Sequence, residues 1–444
     1  MEQSFFNKMH ILLITLGFFL TALFAYGHFI DGDVIQILDK AHIFVTQGIL
    51  TPYGNLSTSG ASGSTPGAFL TLVTGLPMKL WFSPWAALAA LALLHFAAYL
   101  MFYDILKNFL DAKAMIFVVV VFWLNPWRLS EVFLWNPGYI YFVAVFHMWS
   151  AYYLAHKKSF WFSFLHAQSL FLGLQVHTSF VILFFMTTLL LWTRSLRPHL
   201  GGVIVGILFG LLTLVPYFLA GLEDPTLFPQ PGSGDGKGFL FFGLFKVYPM
   251  LKGFWYWILF GSNIFQTHVF HQVHFDWLGE GAVLAFFMKH AWLVTKYSLG
   301  FFGVLLSFYV NFRFYKLNKA HFNLLKAKMT SPQGWLVFYT LSAFFSSLLA
   351  TAISPTLAIY WHLLMVWPMS LVPLLLFFDH CVKTKEGRLA KRIKTYFWIL
   401  VVYFTCTNAF AALGSKKHDI HKSFHELYFK ACQERCTMQN LNKN

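Results

Sequence analysis

Directly after the first long apolar run of the chain stands Asp31-Gly32-Asp33, with Asp39 and Lys40 close behind. A carboxylate inside hydrocarbon costs about 2.5–3.5 kcal/mol on insertion scales, whereas one at the edge of an apolar layer costs less and still reaches a lipid headgroup. Acids there suit two kinds of chemistry: taking a proton from an incoming hydroxyl or amine, or holding a divalent cation. They equally suit a structural task, capping the helix that follows and complementing its dipole. Further along, Arg128 and Glu131 lie just past Asn125-Pro126-Trp127. Glu131 is a candidate second acid or a rim carboxylate, and Arg128 fits either an ion pair with it or a phosphate. Gln175 and His177 stand in a turn between two apolar runs, placed to bind phosphate or sugar, or to be satisfied within a bundle. Lys246, Lys252 and His362, with Lys289 and Lys296, are cations or donors of the kind that hold a phosphate. His268, His271 and His274 recur every third residue, a spacing that precesses around a helix and favours a solvated aromatic face over zinc.

Composition says what must position these groups. Of 444 residues, 58% are hydrophobic, 20% aromatic and only 11% charged, and the mean hydropathy is +0.60. Soluble domains carry about 25% charged residues, so the chain is a polytopic membrane protein, all-α. Its net charge of +15 would suggest nucleic acid in a soluble protein. Here the lysines and arginines fall in alternate connectors, which the positive-inside rule explains without a nucleic-acid partner.

A spanning helix needs about 20 apolar residues. That length picks out about eleven segments, near 9–30, 84–106, 114–125, 138–155, 160–176, 178–193, 200–220, 297–315, 335–354, 362–381 and 395–413. The first is read as an uncleaved transmembrane helix, since no small-x-small cleavage site precedes the acids. Lys107, Lys113, Lys157, Lys158, Arg194, Arg197, Arg313, Lys316 and Lys383 through Lys394 then share one side with the N-terminus, and most acids lie on the other. The charge split predicts a cytoplasmic N-terminus, a periplasmic C-terminus and a periplasmic Asp33 in a cell inner membrane. The stretch from Pro66 to Trp81 is too short and too rich in Gly and Pro to span, and is expected to lie in the outer interface.

The organisation expected is one transmembrane domain over 1–413 and an amphipathic periplasmic tail over 414–444. Two outer loops stand out: 31–83, with the acids, a flexible Gly54 to Gly67 and the interfacial helix, and 221–296, long and aromatic. Trp255, Tyr256 and Trp257 of the latter are expected to face sugar or lipid. Cys381 and Cys406 read as core residues. Cys432 and Cys436 fit a local disulfide in an oxidising compartment.

The order of these features resembles the GT-C superfamily of lipid-linked-sugar glycosyltransferases, which includes protein O-mannosyltransferases and bacterial aminoarabinose and lipopolysaccharide-core sugar transferases. The resemblance rests on Asp31-Gly32-Asp33 after helix one, then Ala41 and Gly48. Pro66-Gly67 opens an interfacial helix ending near Trp81-Phe82-Ser83-Pro84, and Leu124-Asn125-Pro126 stands before a second outer loop. Tyr360-Trp361-His362-Leu363-Leu364 with Pro368 resembles the family's penultimate segment. It covers most of 1–220 and, more weakly, 335–413. Membership implies a polyprenyl-phosphate (undecaprenyl-phosphate) sugar donor, a lipid, glycan or protein acceptor, an active site on the outer face and inverting transfer, with Asp33 as the essential acid and Asp31 second. Many relatives place another acid in the second outer loop, where this chain has Trp135-Asn136-Pro137-Gly138. No metal site is therefore assigned and no cofactor is fixed, although Mg or Mn would suit a pair of acids. Two other classes remain open: a flippase or transporter of lipid-linked oligosaccharide, which would want mid-membrane ionisable groups and internal repeats, and a polymerase or ligase of lipid-linked polysaccharide.

Overall fold

The computed structural model describes residues 2–27, 32–56, 63–228, 247–262, 283–319, 332–354, 358–384 and 388–414. Almost all of this is helix. Helix α1 (Glu2–Tyr26) is followed by α2 (Gly32–Gln47), a short antiparallel hairpin of β1 (Tyr53–Leu56) and β2 (Ser64–Pro66), then α3 (Phe69–Leu80) and α4 (Pro84–Leu106). Helix α5 (Met115–Val118) runs on as a π-helical stretch to Trp123 and meets α6 (Pro126–Ser130) at Asn125, whose Oδ1 accepts from Trp127 N at 2.8 Å. A proline at the first position of α6 needs no N–H, so Asn-Pro here ends one helix and caps the next.

Next come α7 (Ile140–His156), α8 (Phe160–Val176), α9 (Phe180–Trp192), α10 (Leu200–Glu223), α11 (Val247–Ser262), α12 (Val283–Leu317) and α13 (Pro332–Ile353). The apolar run near 362–381 is a broken rod: α14 (Tyr360–Leu363), a 3-10 turn, α15 (Trp367–Ser370) and α16 (Val372–Lys383). Pro368 and Pro373 each remove an amide donor, which interrupts the ladder. Helix α17 (Arg388–Gly414) closes the described chain.

Among the described residues, six helical segments are long and apolar enough to cross a membrane, at Lys8–Tyr26, Pro84–Leu106, Leu200–Glu223, Gln333–Ile353, Tyr360–Lys383 and Thr395–Leu413. Of the other expected spans, that near 114–125 is the short α5 with its π-helical continuation, three are α7 and α8 of 17 residues each and α9 of 13, and one lies within the 35-residue α12. The all-α polytopic expectation holds.

Helix α7 packs between α4 and α8, α10 lies along α8, and α13 rests on α9 and α11. Close approach of α10 to α8 depends on Gly202, Gly206 and Gly210, one per turn. A Cβ at Gly206 would stand 2.8 Å from Ala167 Cβ, and at Gly202 or Gly210 it would strike Phe160 or Phe171. Small residues at this spacing let backbones meet where apolar surface alone gives no drive between helices in lipid. Polar groups inside the bundle are tied to one another. His147 bonds Tyr339 OH at 2.6 Å and Thr187 Oγ1 at 2.8 Å, and His166 bonds Ser150 Oγ at 2.9 Å and Thr187 Oγ1 at 3.2 Å.

Two local expectations change. The stretch from Gly54 to Gly67, expected as a flexible loop, has flanks that pair as β1 and β2. Its last residue, Gly67, has φ +83° and touches Gln175 with no room for a Cβ. Gly67→Val is expected to lower stability by about 2–4 kcal/mol, through positive-φ strain added to overpacking. An unchanged melting temperature in detergent would show that this contact is dispensable. The second change concerns α11, part of the stretch expected as an outer loop. Tyr256 and Trp257 are buried in the bundle, with Trp257 Nε1 donating to Asn311 Oδ1 at 3.1 Å, and only Trp255 of the three rings is exposed. Two of three consecutive aromatics are spent on packing. The tail 415–444 and the residues His268, His271, His274, Cys432 and Cys436 lie outside the described residues.

Candidate active site at one end of the bundle

The chain's crossings bring the start of α2, the hairpin, the segment 125–139, the α8–α9 turn and α14 to the same end of the bundle. Asp33 stands in the first turn of α2 and is half-buried. Its carbonyl accepts from Asn55 Nδ2 at 3.0 Å. Asn55 O in turn takes Thr65 Oγ1 at 3.5 Å, and Thr65 Oγ1 accepts from Asn136 Nδ2 at 3.0 Å. A polar chain therefore runs from the helix carrying Asp33, across the hairpin, to the second loop. Asn55 Oδ1 and Asn136 Oδ1, both buried, have no partner among the described residues, so the chain keeps two unused acceptors.

Lys40, about two turns beyond Asp33, donates to Gly54 O at 2.7 Å and lies 5.4 Å from the centre of the Tyr53 ring. Burial lowers its amine to about 8, against the opposing pull of Asp39 and Asp33. Gln36 Oε1 accepts from Leu56 N at 2.8 Å. Lys40 and Gln36 thus pin α2 to β1 from one side of the helix.

In the second loop, Glu131 is 1% exposed. Trp135 Nε1 donates to its Oε2 at 2.8 Å, and burial pushes the carboxyl up to about 8 despite that bond. It is an enclosed acid that keeps its proton at neutral pH, not a rim carboxylate. Stability should record this. Between about pH 4.5 and 8 the folded protein holds a proton here that the unfolded chain has released, so this group makes stability fall as pH rises through the window, by up to about 1.4 kcal/mol per unit. Glu131→Gln removes the titration. Its melting temperature relative to wild type is expected to rise steadily from pH 5 to pH 8, and a pH-independent difference would mean that Glu131 is ionised in the fold.

Arg128, three residues earlier, is fully buried but turned the other way. Its Nε donates to Trp123 O at 2.8 Å and one terminal nitrogen to Thr21 Oγ1 at 3.0 Å on α1, with the guanidinium 3.8 Å from the Trp123 ring centre. This corrects the expectation of a Glu131 pair, because the guanidinium is turned to α1 and the π-helical turn; its Nη1 is buried with no partner among the described residues. Gln175 is corrected likewise. It is 5% exposed, packs on Gly67 and donates to Thr213 Oγ1 at 3.1 Å, which makes it a strut between α8, α10 and the hairpin.

His177 follows two residues later and is half-buried. Ser179 N donates to its Nδ1 at 3.1 Å, with Ser179 Oγ also at 2.9 Å. A ring nitrogen that accepts a backbone N–H carries no proton, so the neutral ring is the Nε2–H tautomer. Burial, with the neighbouring His362 imidazole, lowers its pKa to about 3. His362 repeats the arrangement: Ile359 N donates to its Nδ1 at 3.1 Å, leaving Nε2–H. The two rings meet edge-on with centroids 5.4 Å apart. Lys252 of α11, half-buried, lies within electrostatic reach of His362. Trp361 sits 5.8 Å from Trp135, and Tyr360 5.7 Å from Trp127, ring centre to ring centre.

The structure thus ties the helix carrying Asp33 to the loop carrying Glu131 and sets His177 against His362 with Lys252 in electrostatic reach, while Arg128 and Gln175 make the contacts described above. Asp31 and Lys246 lie outside the described residues. Among the described residues no three His, Cys, Asp or Glu side chains cluster as a metal set, and a protonated Glu131 is a poor cation ligand. Sequence reasoning missed Asn55, Thr65 and Asn136. Only the Asn-Pro-Gly run at 136–138 hinted at a shaped turn.

No protein-family model and no curated protein matches the sequence. Among solved structures, the chain is similar to the crystal structure of ArnT from Cupriavidus metallidurans in the apo state, at 13% sequence identity and a TM-score of 0.49, over 91% of this chain and 74% of that one.

Proposed function

We propose that the protein is an integral membrane glycosyltransferase that moves one sugar from a polyprenyl-phosphate donor, undecaprenyl phosphate in a bacterial membrane, to an acceptor hydroxyl or amine on the periplasmic side. One observation carries the reading. The helix carrying the half-buried Asp33 is tied through Asn55, Thr65 and Asn136 to the second loop, and the α8–α9 turn, the broken helix and α11 contribute two neutral imidazole N–H donors and a lysine. The acid and the anion-binding groups belong to different loops of a membrane bundle and converge at one end of it.

In this reading Asp33 takes the acceptor's proton as the new bond forms at the anomeric carbon, and the bond from that carbon to the phosphate oxygen breaks with inversion. The departing phosphate gains charge. His177 Nε2–H, His362 Nε2–H and Lys252 stabilise it, and fixed donors serve best because they need no reorientation during the reaction. Trp135 and Trp361 offer ring faces to the sugar, and Glu131, holding its proton, is a donor to a sugar oxygen. Asn55 Oδ1 and Asn136 Oδ1 supply acceptors for its hydroxyls once a small movement uncovers them. The flippase reading draws less support, since of the buried histidines His147 and His166 have both ring nitrogens engaged and His95 has Nε2 on Gly138 O with only Nδ1 unpaired among the described residues.

The test is reconstitution. Purified protein in nanodiscs is given a panel of undecaprenyl-phosphate-linked hexoses and pentoses together with a cell-envelope lipid and glycan extract as acceptor, and release of undecaprenyl phosphate with sugar incorporated into the extract is followed. Release from at least one donor is expected. No release from any, by protein that is folded and monodisperse, would count against the reading.

A further inference from the structure

At the opposite end of the bundle, α12, α13 and α16 enclose a cleft of about 310 Å³. Its inner wall is apolar, formed by Val310, Phe314, Pro373 and Phe377, and its mouth is polar, with Arg313, Asn318, Gln333, Asp379, His380 and Lys383. The charges at the mouth are unevenly used. Asp379 is 7% exposed and fully engaged, with Oδ2 2.6 Å from Lys383 Nζ and Oδ1 accepting from Asp111 N at 2.7 Å. Arg313 has no such partner. Among the described residues it makes no hydrogen bond or ion pair, and its Nε is buried and unsatisfied. With the Asp379 carboxylate held by Lys383, the Arg313 guanidinium is the unneutralised charge at the cleft mouth. A buried donor left unmade costs about 1–3 kcal/mol, more when charged, so an acceptor at Arg313 Nε is favoured.

The cleft's surroundings say which acceptor. The outer face of α12 on either side of Arg313 exposes Phe308, Tyr309, Phe312 and Tyr315, the kind of surface that acyl chains cover. An apolar wall rising from a cationic mouth at the end of a transmembrane bundle matches an amphiphile with an anionic head. It does not match a free solute.

We propose that this cleft binds the phosphodiester of one anionic glycerophospholipid, with Arg313 donating to the phosphate oxygens, Lys383 holding the Asp379 carboxylate neutral beside it and an acyl chain lying along Phe314 and Phe377. The site is separate from the glycosyltransferase reading and does not rest on it. By the charge pattern of the connectors it draws from the cytoplasmic leaflet, where juxtamembrane cations meet anionic lipid.

Native mass spectrometry and thermal melting in detergent test this on the full-length protein, with dioleoyl phosphatidylglycerol, dioleoyl phosphatidylcholine and inorganic phosphate as separate probes. Wild type is expected to retain one phosphatidylglycerol and to melt at a higher temperature with it than with phosphatidylcholine. Inorganic phosphate at the same concentration is expected to do nothing. Arg313→Gln should weaken phosphatidylglycerol binding about tenfold, the loss of one charge-assisted bond, with melting in phosphatidylcholine unchanged. Lys383→Gln, at an exposed rim position, should weaken it as well and serves if Arg313→Gln fails to fold. Equal retention of phosphatidylglycerol by the variant and wild type, or full stabilisation by inorganic phosphate alone, would overturn the proposal.

Discussion

Asp33→Asn is expected to lower sugar transfer by about 10²–10⁴-fold, the range that one general base contributes, while the protein still folds and inserts. The substitution keeps the side chain's shape and leaves the backbone carbonyl that takes Asn55 Nδ2. What it removes is the negative charge and the proton acceptor. The competing account of Asp33 is a cap at the N-terminus of α2. That account makes the opposite forecast, because losing an acid from a helix's first turn costs about 0.3–1 kcal/mol of stability and has no reason to touch turnover. Melting temperature and turnover, measured on the same preparation, separate the two. Activity retained within a few-fold, with a lower melting temperature, would return Asp33 to a structural role.

A second large effect is expected at the imidazole pair. His362→Ala or His177→Ala removes one N–H donor from the departing phosphate, where a bond to a charged group contributes about 1.5–3 kcal/mol. Loss of about 10–100-fold in kcat/KM follows, with kcat falling more than KM rises if the bond strengthens as charge develops. The protonation state sharpens the forecast. His177 is held neutral because burial and His362 lower its pKa to about 3, so it neither gains nor loses a proton between pH 5 and 8. Its contribution should be flat over that range. A group that acted as an imidazolium would instead lose its effect as pH rose through about 6.5. A pH–rate profile of wild type against His177→Ala decides this, and a ratio that changes near pH 6.5 would refute the neutral-donor assignment. His177→Gln, which keeps an N–H, should recover part of the loss.

How far the site could be read in the sequence depends on the range of the forces involved. Membrane class, the positions of the long apolar helices and the break at Asn125-Pro126 follow from composition, run length and the missing amide hydrogen of proline, all of them local. The 24-residue run Tyr360–Lys383 also has locally visible prolines, yet apolar run length alone merged its three helical pieces into one. Arg128 looked like an ion-pair partner for Glu131, its sequence neighbour. The fold instead turns it toward Thr21, 107 residues away in sequence, and nothing nearby announces that. Gln175 is similar: its amide is spent on Thr213 and its surface on Gly67. The chain Asp33–Asn55–Thr65–Asn136 joins positions whose residue types are ordinary for turns, so each is unremarkable until the hairpin brings them together. His177 and His362 could be flagged as polar residues at the ends of apolar runs. Their shared Nδ1-to-backbone bonding, which fixes both tautomers, exists only in three dimensions.

Lys40 shows a smaller case of the same kind. On the helix its neighbours are Gln36 and Ile37, and sequence spacing predicts nothing more. In the fold it reaches across to Gly54 O and the Tyr53 ring, so it fixes the hairpin that carries Thr65. The first loop is thus organised before any substrate arrives, as a site built on positioning requires.

The central claim is that the end of the bundle carrying Asp33 transfers a lipid-linked sugar to a cell-envelope acceptor. The most direct measurement compares the glycolipids and surface glycans of cells lacking the gene with the same cells expressing wild type or Asp33→Asn at equal membrane levels. Wild type is expected to restore one sugar residue that the deleted cells lack, with the inverted anomeric linkage, while Asp33→Asn leaves it missing and the unused undecaprenyl-phosphate sugar accumulates. Restoration of the same sugar by Asp33→Asn, or glycans identical in all three strains, would contradict the account.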